Sequence, residues 1–257
     1  LRYFSRQIEL RGVDLRLGHR ASAEELVADG FDHVVLATGV VPRRPDIPGI
    51  DHPKVLSYVD VLLGGRPVGP KVAIIGAGGI GFDVAEFLSH ADGAPAIDAF
   101  SREWGIDLSL EARGGVEGIE ARPAPSPRQI FLLQRKKSKP GAGLGKTTGW
   151  IHRSSIRARG VQTLTGVSYE RIDDAGLHIT VDGEPRLLEV DSVIVCAGQE
   201  PLRALAGELE RAGMCLGEDC PEAINQGGTV ISRQNPGRSQ HLNVCQGPFD
   251  VYLEEAP

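Results

Sequence analysis

The sequence predicts an α/β fold built around a Rossmann-like domain, and three observations lead to this prediction. An apolar run at residues 72–75 is followed directly by a glycine-rich turn and an amphipathic segment, the strand–turn–helix order of such domains. A second apolar run, at residues 129–134, provides the next buried strand. Two similar strand ends, Ala-Thr-Gly at 37–39 and Cys-Ala-Gly at 196–198, lie on either side of both runs. The chain is therefore expected to hold one complete Rossmann-like domain between two parts of another domain.

The glycine turn after the first apolar run predicts a dinucleotide site. Gly76 permits the tight turn, Gly78 removes a side chain that would keep a pyrophosphate away from the backbone, and Gly81 lets the helix pack closely on its strand. The pyrophosphate would also meet the N–H groups at the positive end of the helix, so Gly79 and Ile80 belong to the predicted site. The alternative is a glycine-rich turn in an ordinary βαβ unit.

The basic residues after the second strand favour NADP(H). An acidic residue about 20 positions after the glycines usually binds the ribose 2′-hydroxyl of NAD or FAD. That spacing is absent here, because residues 90–127 are expected to form an irregular insertion, and four cations with no carboxylate follow the next strand at 135–139. A 2′-phosphate suits such cations, and Arg135 and Lys136 are the residues predicted to bind it. The alternative is a solvated basic loop.

The composition is typical of a globular protein and excludes two other classes. The 257 residues are 41% hydrophobic and 24% charged, which is enough for two modest cores. No apolar stretch approaches about 18 residues, so no membrane span is predicted. The formal net charge of −6 argues against general nucleic-acid affinity. Four scattered cysteines do not make a disulfide framework, and a cytoplasmic location is expected.

The segments before the glycine turn alternate between short helices and strands. Residues 31–39 are predicted to form a buried strand, and the proline-rich residues 41–49 an extended segment. The other segments predicted here are an amphipathic helix at 1–11, a strand at 13–17, a helical turn at 24–29, a helix at 54–63 and a linker at 64–67.

The segments after the basic loop begin with a helix at residues 150–159, which ends at Gly160. Four short strands separated by Asp- and Gly-containing turns follow, a pattern typical of an antiparallel meander. These strands are predicted at 161–164, 167–172, 177–181 and 185–190. A further strand at 191–201 ends in the second Cys-Ala-Gly segment.

The two similar strand ends indicate how the domains are arranged. Each is followed by a proline, Pro42 and Pro201, and the pair brackets the glycine turn, as in two-dinucleotide flavoprotein reductases, where an NAD(P)H domain is inserted into an FAD domain. The alternative is two unrelated strand ends. No earlier glycine turn is present near the start, so the FAD-binding domain is expected to be truncated. The predicted divisions are a partial FAD-binding domain at 1–66, an NADP(H)-binding domain at 67–190, a return to the FAD-binding domain at 191–213 and a divergent tail at 214–257.

Residues 49–58, 103–107, 143–153 and 196–201 resemble the C-terminal reductase half of bacterial NADPH-dependent 2,4-dienoyl-CoA reductase. The resemblance covers residues 1–213. It implies a role in the metabolism of unsaturated fatty acids, in which NADPH gives a hydride to FAD. Electrons then pass through a 4Fe-4S cluster to FMN in an N-terminal barrel. The barrel, the FMN site and the cluster cysteines are absent from this chain, so the barrel half is the expected partner, on the same chain or a separate one.

The resemblance also assigns residues to the cofactors. Thr38 and Gly39 are expected to approach the flavin, while Ala197 and Gly198 lie in the second strand end and are included among the cofactor-binding residues. Lys146 lies in a loop expected to close over NADP. No catalytic acid or base is predicted, because hydride transfer is the chemistry of the two cofactors themselves.

Several alternatives remain at this point. Residues 141–147 resemble a P-loop of a nucleotide hydrolase, but Pro140 stands where its first glycine belongs. The chain is alternatively a non-catalytic NADP-binding module. His152 and Arg153 suit either helix packing or phosphate contact. A zinc site is conceivable at irregular spacing, although incidental thiols are favoured; its ligands would be Cys215, Cys220, Cys245 and His241.

Overall fold

The computed structural model describes residues 1–31, 33–90, 96–216, 229–233 and 250–253. The chain divides into two compact units. The nucleotide unit is Pro42–Gln199, and the terminal unit combines Leu1–Val41 with Glu200–Pro257. Within the described residues, no helix is both long enough and apolar enough to cross a membrane.

The described helices and strands alternate along most of the chain. The helices are α1 (Arg2–Leu10), α2 (Ala23–Ala28), α3 (Tyr58–Leu62), α4 (Gly79–Ser89), α5 (Ile97–Trp104), α6 (Gly149–Ala158) and α7 (Ala204–Arg211). The strands are β1 (Asp14–Leu17), β2 (His33–Leu36), β3 (Val40–Pro42), β4 (Val55–Ser57), β5 (Lys71–Ile75), β6 (Gln129–Gln134), β7 (Gln162–Thr165), β8 (Val167–Asp173), β9 (Gly176–Val181), β10 (Glu184–Leu188), β11 (Ser192–Val195), β12 (Gln199–Pro201), β13 (Met214–Leu216), β14 (Thr229–Arg233) and β15 (Asp250–Leu253).

A five-stranded parallel sheet forms the centre of the nucleotide unit, in the order β4-β11-β5-β6-β7. Alternate residues of β5 face opposite sides of the sheet. Val72 and Ile74 pack with Phe82 of α4 and Ile156 of α6, in one apolar cluster. Because both faces of β5 are covered, its apolar run is fully buried. The predicted α/β fold with a Rossmann-like parallel sheet is confirmed.

The opposite face of the sheet is covered by the antiparallel sheet of β8, β9 and β10. Ala73 and Ile75 of β5 pack there with Leu177 and Ile179 of β9. One prediction is corrected here. Residues 161–164 were expected to begin the meander, but β7 pairs in parallel with β6 instead, because α6 returns the chain in the crossover that joins parallel neighbours.

Two further segments differ from the sequence-based expectations. The insertion at 90–127 contains α5 and a 3₁₀ turn at Arg113–Gly115, so its described part is not simply irregular. Helix α5 escapes prediction because it has only eight residues and no side-chain cap at Ala96. The helix expected at 54–63 begins only at Tyr58, since the residues before it form β4.

Strand β11 lies inside the nucleotide unit, although residues 191–213 were expected to return to the other domain. Val193 and Ile194 pair in parallel with β5 on one side and with β4 on the other. Both β4 and β11 therefore widen this sheet, and the compact unit at 42–199 is larger than the predicted 67–190.

The terminal unit has its own small core. Helices α2 and α7 pack against β2 and β13, and the buried members of the cluster are Ala23, Leu26, Val34, Leu36, Ala206, Leu209 and Met214. The tail predicted to diverge after Gly213 contributes strands: β14 pairs antiparallel with β2 and β13, and β15 pairs in parallel with β1. The other tail residues lie outside the described part of the chain.

Candidate functional site

The glycine turn joins the carboxyl end of β5 to the start of α4. Gly76 has a φ of +112°, a conformation that L side chains rarely adopt. Its N–H donates to the carbonyl of Leu133 at 2.9 Å. A Cβ at this position would lie 2.4 Å from the carbonyl oxygen of Cys196. Glycine is therefore required at position 76 by the backbone of the neighbouring strands.

Gly81 is required for a different reason, the close approach of α4 to the turn. A Cβ on Gly81 would lie only 1.8 Å from the carbonyl oxygen of Gly76. The helix itself starts at the turn, because the N–H of Phe82 donates to the carbonyl of Gly78 at 3.0 Å. Gly81 thus fixes the distance between helix and strand, as the sequence motif predicts.

Gly78 and Gly79 face open space instead. A Cβ at either position would meet no atom within 4 Å apart from its chain neighbours and the helix backbone, and neither residue has a positive φ. The described chain itself therefore does not require glycine there. The open space at these two positions lies next to the first N–H groups of α4, where the sequence motif predicts a pyrophosphate. Ile80 contributes only backbone to that space, because its side chain packs against the apolar core.

The predicted 2′-phosphate residues, Arg135 and Lys136, lie immediately after β6 and are exposed. The side chain of Gln134 shapes their loop, with its Nε2 donating to the carbonyl of Lys136 at 2.9 Å and to that of Ser138 at 2.7 Å. Across the described ranges, neither Arg135 nor Lys136 forms an ion pair with a carboxylate. Two cations are therefore available at the end of the strand next to the glycine turn.

The neighbouring residues distinguish these two cations from Lys137. Lys137 pairs with Asp182 at 3.1 Å, so part of its charge is already balanced. Arg135 lies near Tyr169, whose pKa is raised by burial and lowered in smaller measure by the Arg135 charge. The charge of Arg135 is thus felt by a side chain of β8.

The loop that carries Lys146 is fixed at its base. A Cβ on Gly141 would lie 2.9 Å from the Phe82 ring, so the loop rests directly on α4. The guanidinium of Arg153 donates to the carbonyl of Gly141 at 3.0 Å. Lys146 itself is exposed. Six residues, 135–140, separate this loop from the end of β6, so it does not follow a strand directly as a P-loop does.

Helix α6 is tied to α4 by the half-buried carboxylate of Glu86. His152 Nδ1 lies 2.8 Å from this carboxylate, and the Ser155 hydroxyl donates to it at 3.2 Å. The sequence left two roles possible for His152 and Arg153, helix packing or contact with a phosphate. In this structure the hydrogen bond of His152 to Glu86 and that of Arg153 to Gly141 show that both residues pack the helix and the loop.

The remaining predicted residues lie at the two strand ends. Thr38 donates its hydroxyl to the carbonyl of Leu202 at 2.6 Å, and the N–H of Leu202 donates to the carbonyl of Gly39 at 3.0 Å. Thr38 therefore has a structural hydrogen bond within the terminal unit. In the nucleotide unit, Ala197 and Gly198 follow β11, directly beside the glycine turn.

The described residues of the terminal unit contain no glycine turn like the one after β5. Strand β1 and helix α2 are joined by residues 18–22, Gly-His-Arg-Ala-Ser, which lack the three-glycine pattern of a pyrophosphate site. The side chain of Ser22 caps α2 by accepting from the N–H of Glu25. No residue in the described terminal unit is thus assigned to the FAD phosphates.

Thiol and metal chemistry find no support in the part of the chain that the structure describes. Cys196 is a free cysteine buried in the core, and burial raises the pKa of its thiol to about 12, so it stays protonated at neutral pH. No cluster of three or more metal-ligating side chains occurs among the described residues. Of the proposed zinc ligands, Cys220, Cys245 and His241 lie outside those residues, as does the side chain of Cys215.

One pair that sequence reasoning missed lies at the same edge of the sheet. The Gln199 side chain donates from Nε2 to the hydroxyl of Tyr58 at 2.9 Å. The two residues are 141 positions apart. Sequence reasoning had one indication of this pair: both residues come after strands, and ligands of parallel α/β sheets bind at the edge where the strands end.

Comparison with known proteins matches the chain to one family and to longer reductases. Residues 7–220 match the family described as pyridine nucleotide-disulphide oxidoreductase. The chain is 26% identical over 207 residues to a metal reductase of Desulforamulus reducens, covering 77% of this chain and 30% of that protein. It is 46% identical over 79 residues to a cinnamate reductase of Clostridium sporogenes, covering 31% of this chain and 12% of that protein.

Among solved structures, the chain resembles 2-naphthoyl-CoA reductase in complex with 2-naphthoyl-CoA. The TM-score is 0.58 at 25% identity, and the match covers 81% of this chain and 26% of that chain. The chain therefore spans less than a third of the length of these relatives.

Proposed function

The chain belongs to the pyridine nucleotide-disulphide oxidoreductase family, and from this premise we propose that it is the NADPH-binding, electron-entry module of a flavoprotein oxidoreductase. The observation that carries the proposal is the open space above Gly78 and Gly79. Glycine at these two positions serves no packing need of the described chain, whereas a pyrophosphate bound at the start of α4 requires it.

The preference for NADPH over NADH rests on Arg135 and Lys136. They follow the strand next to the glycine turn, where an acidic residue would bind the 2′-hydroxyl of NAD. Neither pairs with a carboxylate of the described chain, so a 2′-phosphate would meet two uncompensated cations. The exposed Lys146 is proposed to add a further contact to the bound dinucleotide from its loop.

This chain's own residues bind and orient the dinucleotide and take no proton. The N–H groups at the start of α4 hold the pyrophosphate, and the cations after β6 hold the adenosine end. The nicotinamide supplies the hydride when NADPH is bound. Thr38 and Gly39 are proposed to border the flavin that accepts it, although the described terminal unit does not provide for the FAD phosphates. We propose no thiol step, because Cys196 is buried.

The whole enzyme is proposed to resemble 2,4-dienoyl-CoA reductase. Two relatives support a reductase of this kind by name, the cinnamate reductase and the 2-naphthoyl-CoA reductase. Both are several times longer than the matched region. The substrate-binding barrel, FMN and the 4Fe-4S cluster are accordingly assigned to a partner domain, and the module is proposed to act in the cytoplasm.

The test is a titration of the wild-type chain and the double variant Arg135→Glu/Lys136→Glu with NADPH and with NADH. Each charge-assisted contact with the 2′-phosphate contributes about 1.5–3 kcal/mol. The variant should therefore bind NADPH at least about a hundredfold more weakly, with NADH binding little changed. Lys71→Glu/Arg186→Glu is the matched control, because it makes the same change in charge at exposed positions away from this loop. An unchanged NADPH-to-NADH affinity ratio would rule out the assignment.

A second candidate is a non-catalytic NADP-binding module, and one observation favours it. The described terminal unit lacks a glycine turn for the FAD phosphates. An absorbance spectrum of the purified chain with added FAD separates the two candidates. Bound oxidised flavin that NADPH bleaches supports the electron-entry module, whereas NADPH binding without flavin binding supports the second candidate.

A further inference from the structure

The order of the strands determines the direction in which a dinucleotide would lie. The glycine turn follows β5, which has β6 and β7 on one side and β11 and β4 on the other. Arg135 and Lys136 follow β6, so the adenosine end belongs on that side. A dinucleotide bound across β5 by its pyrophosphate then extends its nicotinamide toward the carboxyl ends of β11 and β4.

Two polar side chains meet at those carboxyl ends. Tyr58 follows β4, Gln199 is the first residue of β12, which comes after β11 in the chain, and the Gln199 Nε2 donates to the Tyr58 hydroxyl at 2.9 Å. The end of β11 is also close to the glycine turn, since a Cβ on Gly76 would lie 2.4 Å from the carbonyl oxygen of Cys196. The pair is thus next to the turn and on the side opposite the cations.

The Tyr58 backbone is held by the cap of α3. Ser57 donates its N–H and its hydroxyl to the Asp60 carboxylate at 2.9 and 2.7 Å, and its hydroxyl oxygen accepts from the Asp60 N–H at 3.1 Å. These hydrogen bonds keep the Asp60 pKa below its usual value, the Ser57 hydroxyl contributing most. The ring of Tyr58 is buried, so its hydroxyl presents a fixed partner to Gln199.

The amide of Gln199 has hydrogen-bonding capacity left over after the Tyr58 contact. A glutamine side chain has two N–H donors and one carbonyl acceptor. Within the described part of the chain, only one of those donors is used, and Gln199 is exposed. The remaining N–H and the Oε1 match a primary carboxamide, which offers one carbonyl and one NH₂ group.

We propose that Gln199, oriented by Tyr58, is the positioning residue for the nicotinamide carboxamide. This inference rests on the proposed function, because it requires the chain to bind NADPH. It adds the residue that orients the reactive end, whereas the glycine turn and the cations hold only the phosphates. An amide–amide contact at this edge would restrict the orientations open to the nicotinamide end.

The test compares two ligands that differ in the nicotinamide end. The wild-type chain, Gln199→Leu and Tyr58→Phe are titrated with NADPH and with 2′,5′-ADP, which has the adenosine end alone. Gln199→Leu should weaken NADPH binding about three- to tenfold and leave 2′,5′-ADP binding unchanged. Tyr58→Phe should give a smaller loss with NADPH only. Gln162→Leu, an exposed glutamine at the start of the edge strand β7, is the matched control.

The outcomes separate the inference from the proposed function. Loss confined to NADPH supports the positioning role. Equal loss for both ligands shows that the pair merely joins the segments that follow β4 and β11. An unchanged NADPH affinity shows that Gln199 does not reach the carboxamide. Either result overturns the inference while the proposed function stands. A wild-type chain that binds neither ligand overturns both.

Discussion

Glycines in one short turn have different physical reasons for being there. Gly76 and Gly81 are demanded by the backbone, where a Cβ would lie 2.4 Å and 1.8 Å from carbonyl oxygens. At Gly78 and Gly79 a Cβ would meet no described atom within 4 Å, so the surrounding structure does not require glycine there. The same sequence motif thus combines residues that stabilise the fold with residues that leave room for a ligand.

Two alanine variants separate these roles. Gly81→Ala should lower the free energy of unfolding by about 1–3 kcal/mol, because helix α4 must move away from the turn. Gly78→Ala should cost less than about 1 kcal/mol but should weaken NADPH binding, because its Cβ occupies the space for the pyrophosphate. Urea denaturation and NADPH titration of both variants measure the two effects. Equal destabilisation by the two substitutions would contradict this division.

At the scale of helices and strands, the buried ion pair between Arg159 and Glu103 holds helix α5 against the rest of the nucleotide unit. The Arg159 side chain is 4% exposed and that of Glu103 14%. Arg159 also donates to the carbonyl of Ser89 at 3.3 Å, so it joins the insertion to the end of α4. Among the described residues 96–127 of the insertion, no apolar side chain belongs to the buried core, so these polar contacts help to attach α5.

Removing only the cation should therefore be costly. Arg159→Met leaves the Glu103 carboxylate buried without its partner, and the expected loss of unfolding free energy is about 3–5 kcal/mol. The double variant Arg159→Met/Glu103→Leu should recover much of that loss, because it buries no unpaired charge. Chemical denaturation of the single and double variants tests this. A double variant less stable than Arg159→Met would be the opposite of the expected result.

Elements with a strong local pattern could be predicted from the sequence, and those that depend on distant pairing could not. Strands β5 and β6 are apolar runs buried on both faces, and α6 ends before a glycine, so all three lie within about a residue of their predicted bounds. Strand β7 looks like the strands after it; only its pairing with β6 places it in the parallel sheet. The residues of β7 themselves do not indicate that the strand pairs with β6.

The candidate site shows the same division. The glycine spacing and the run of cations are local patterns of neighbouring residues, so the phosphate-binding part of the proposed site can be predicted from the sequence alone. The contact between Tyr58 and Gln199 joins residues 141 positions apart. It exists because β4 and β11 become neighbours in the folded sheet.

At the scale of the whole molecule, we expect the purified chain with NADPH alone to give no reduction of a dienoyl-CoA. It spans less than a third of the length of its relatives, and the proposed function assigns substrate binding to a partner domain. Without that domain, the substrate would not be positioned to receive the electrons. The measurement is NADPH oxidation with and without the dienoyl-CoA. Substrate-dependent turnover by this chain without a partner protein would show the prediction to be wrong.

The place of β5 in the middle of the parallel sheet also has a consequence for biosynthesis. Its hydrogen-bonding edges are completed by β6 and by β11, and β11 comes more than a hundred residues later in the chain. A nascent chain released from the ribosome only as far as β10 would therefore expose one edge of a strongly apolar strand. Such an edge pairs readily with other chains, and long-range parallel pairing forms slowly. The last strand of the sheet to be translated is thus the one that protects the central strand from aggregation during folding.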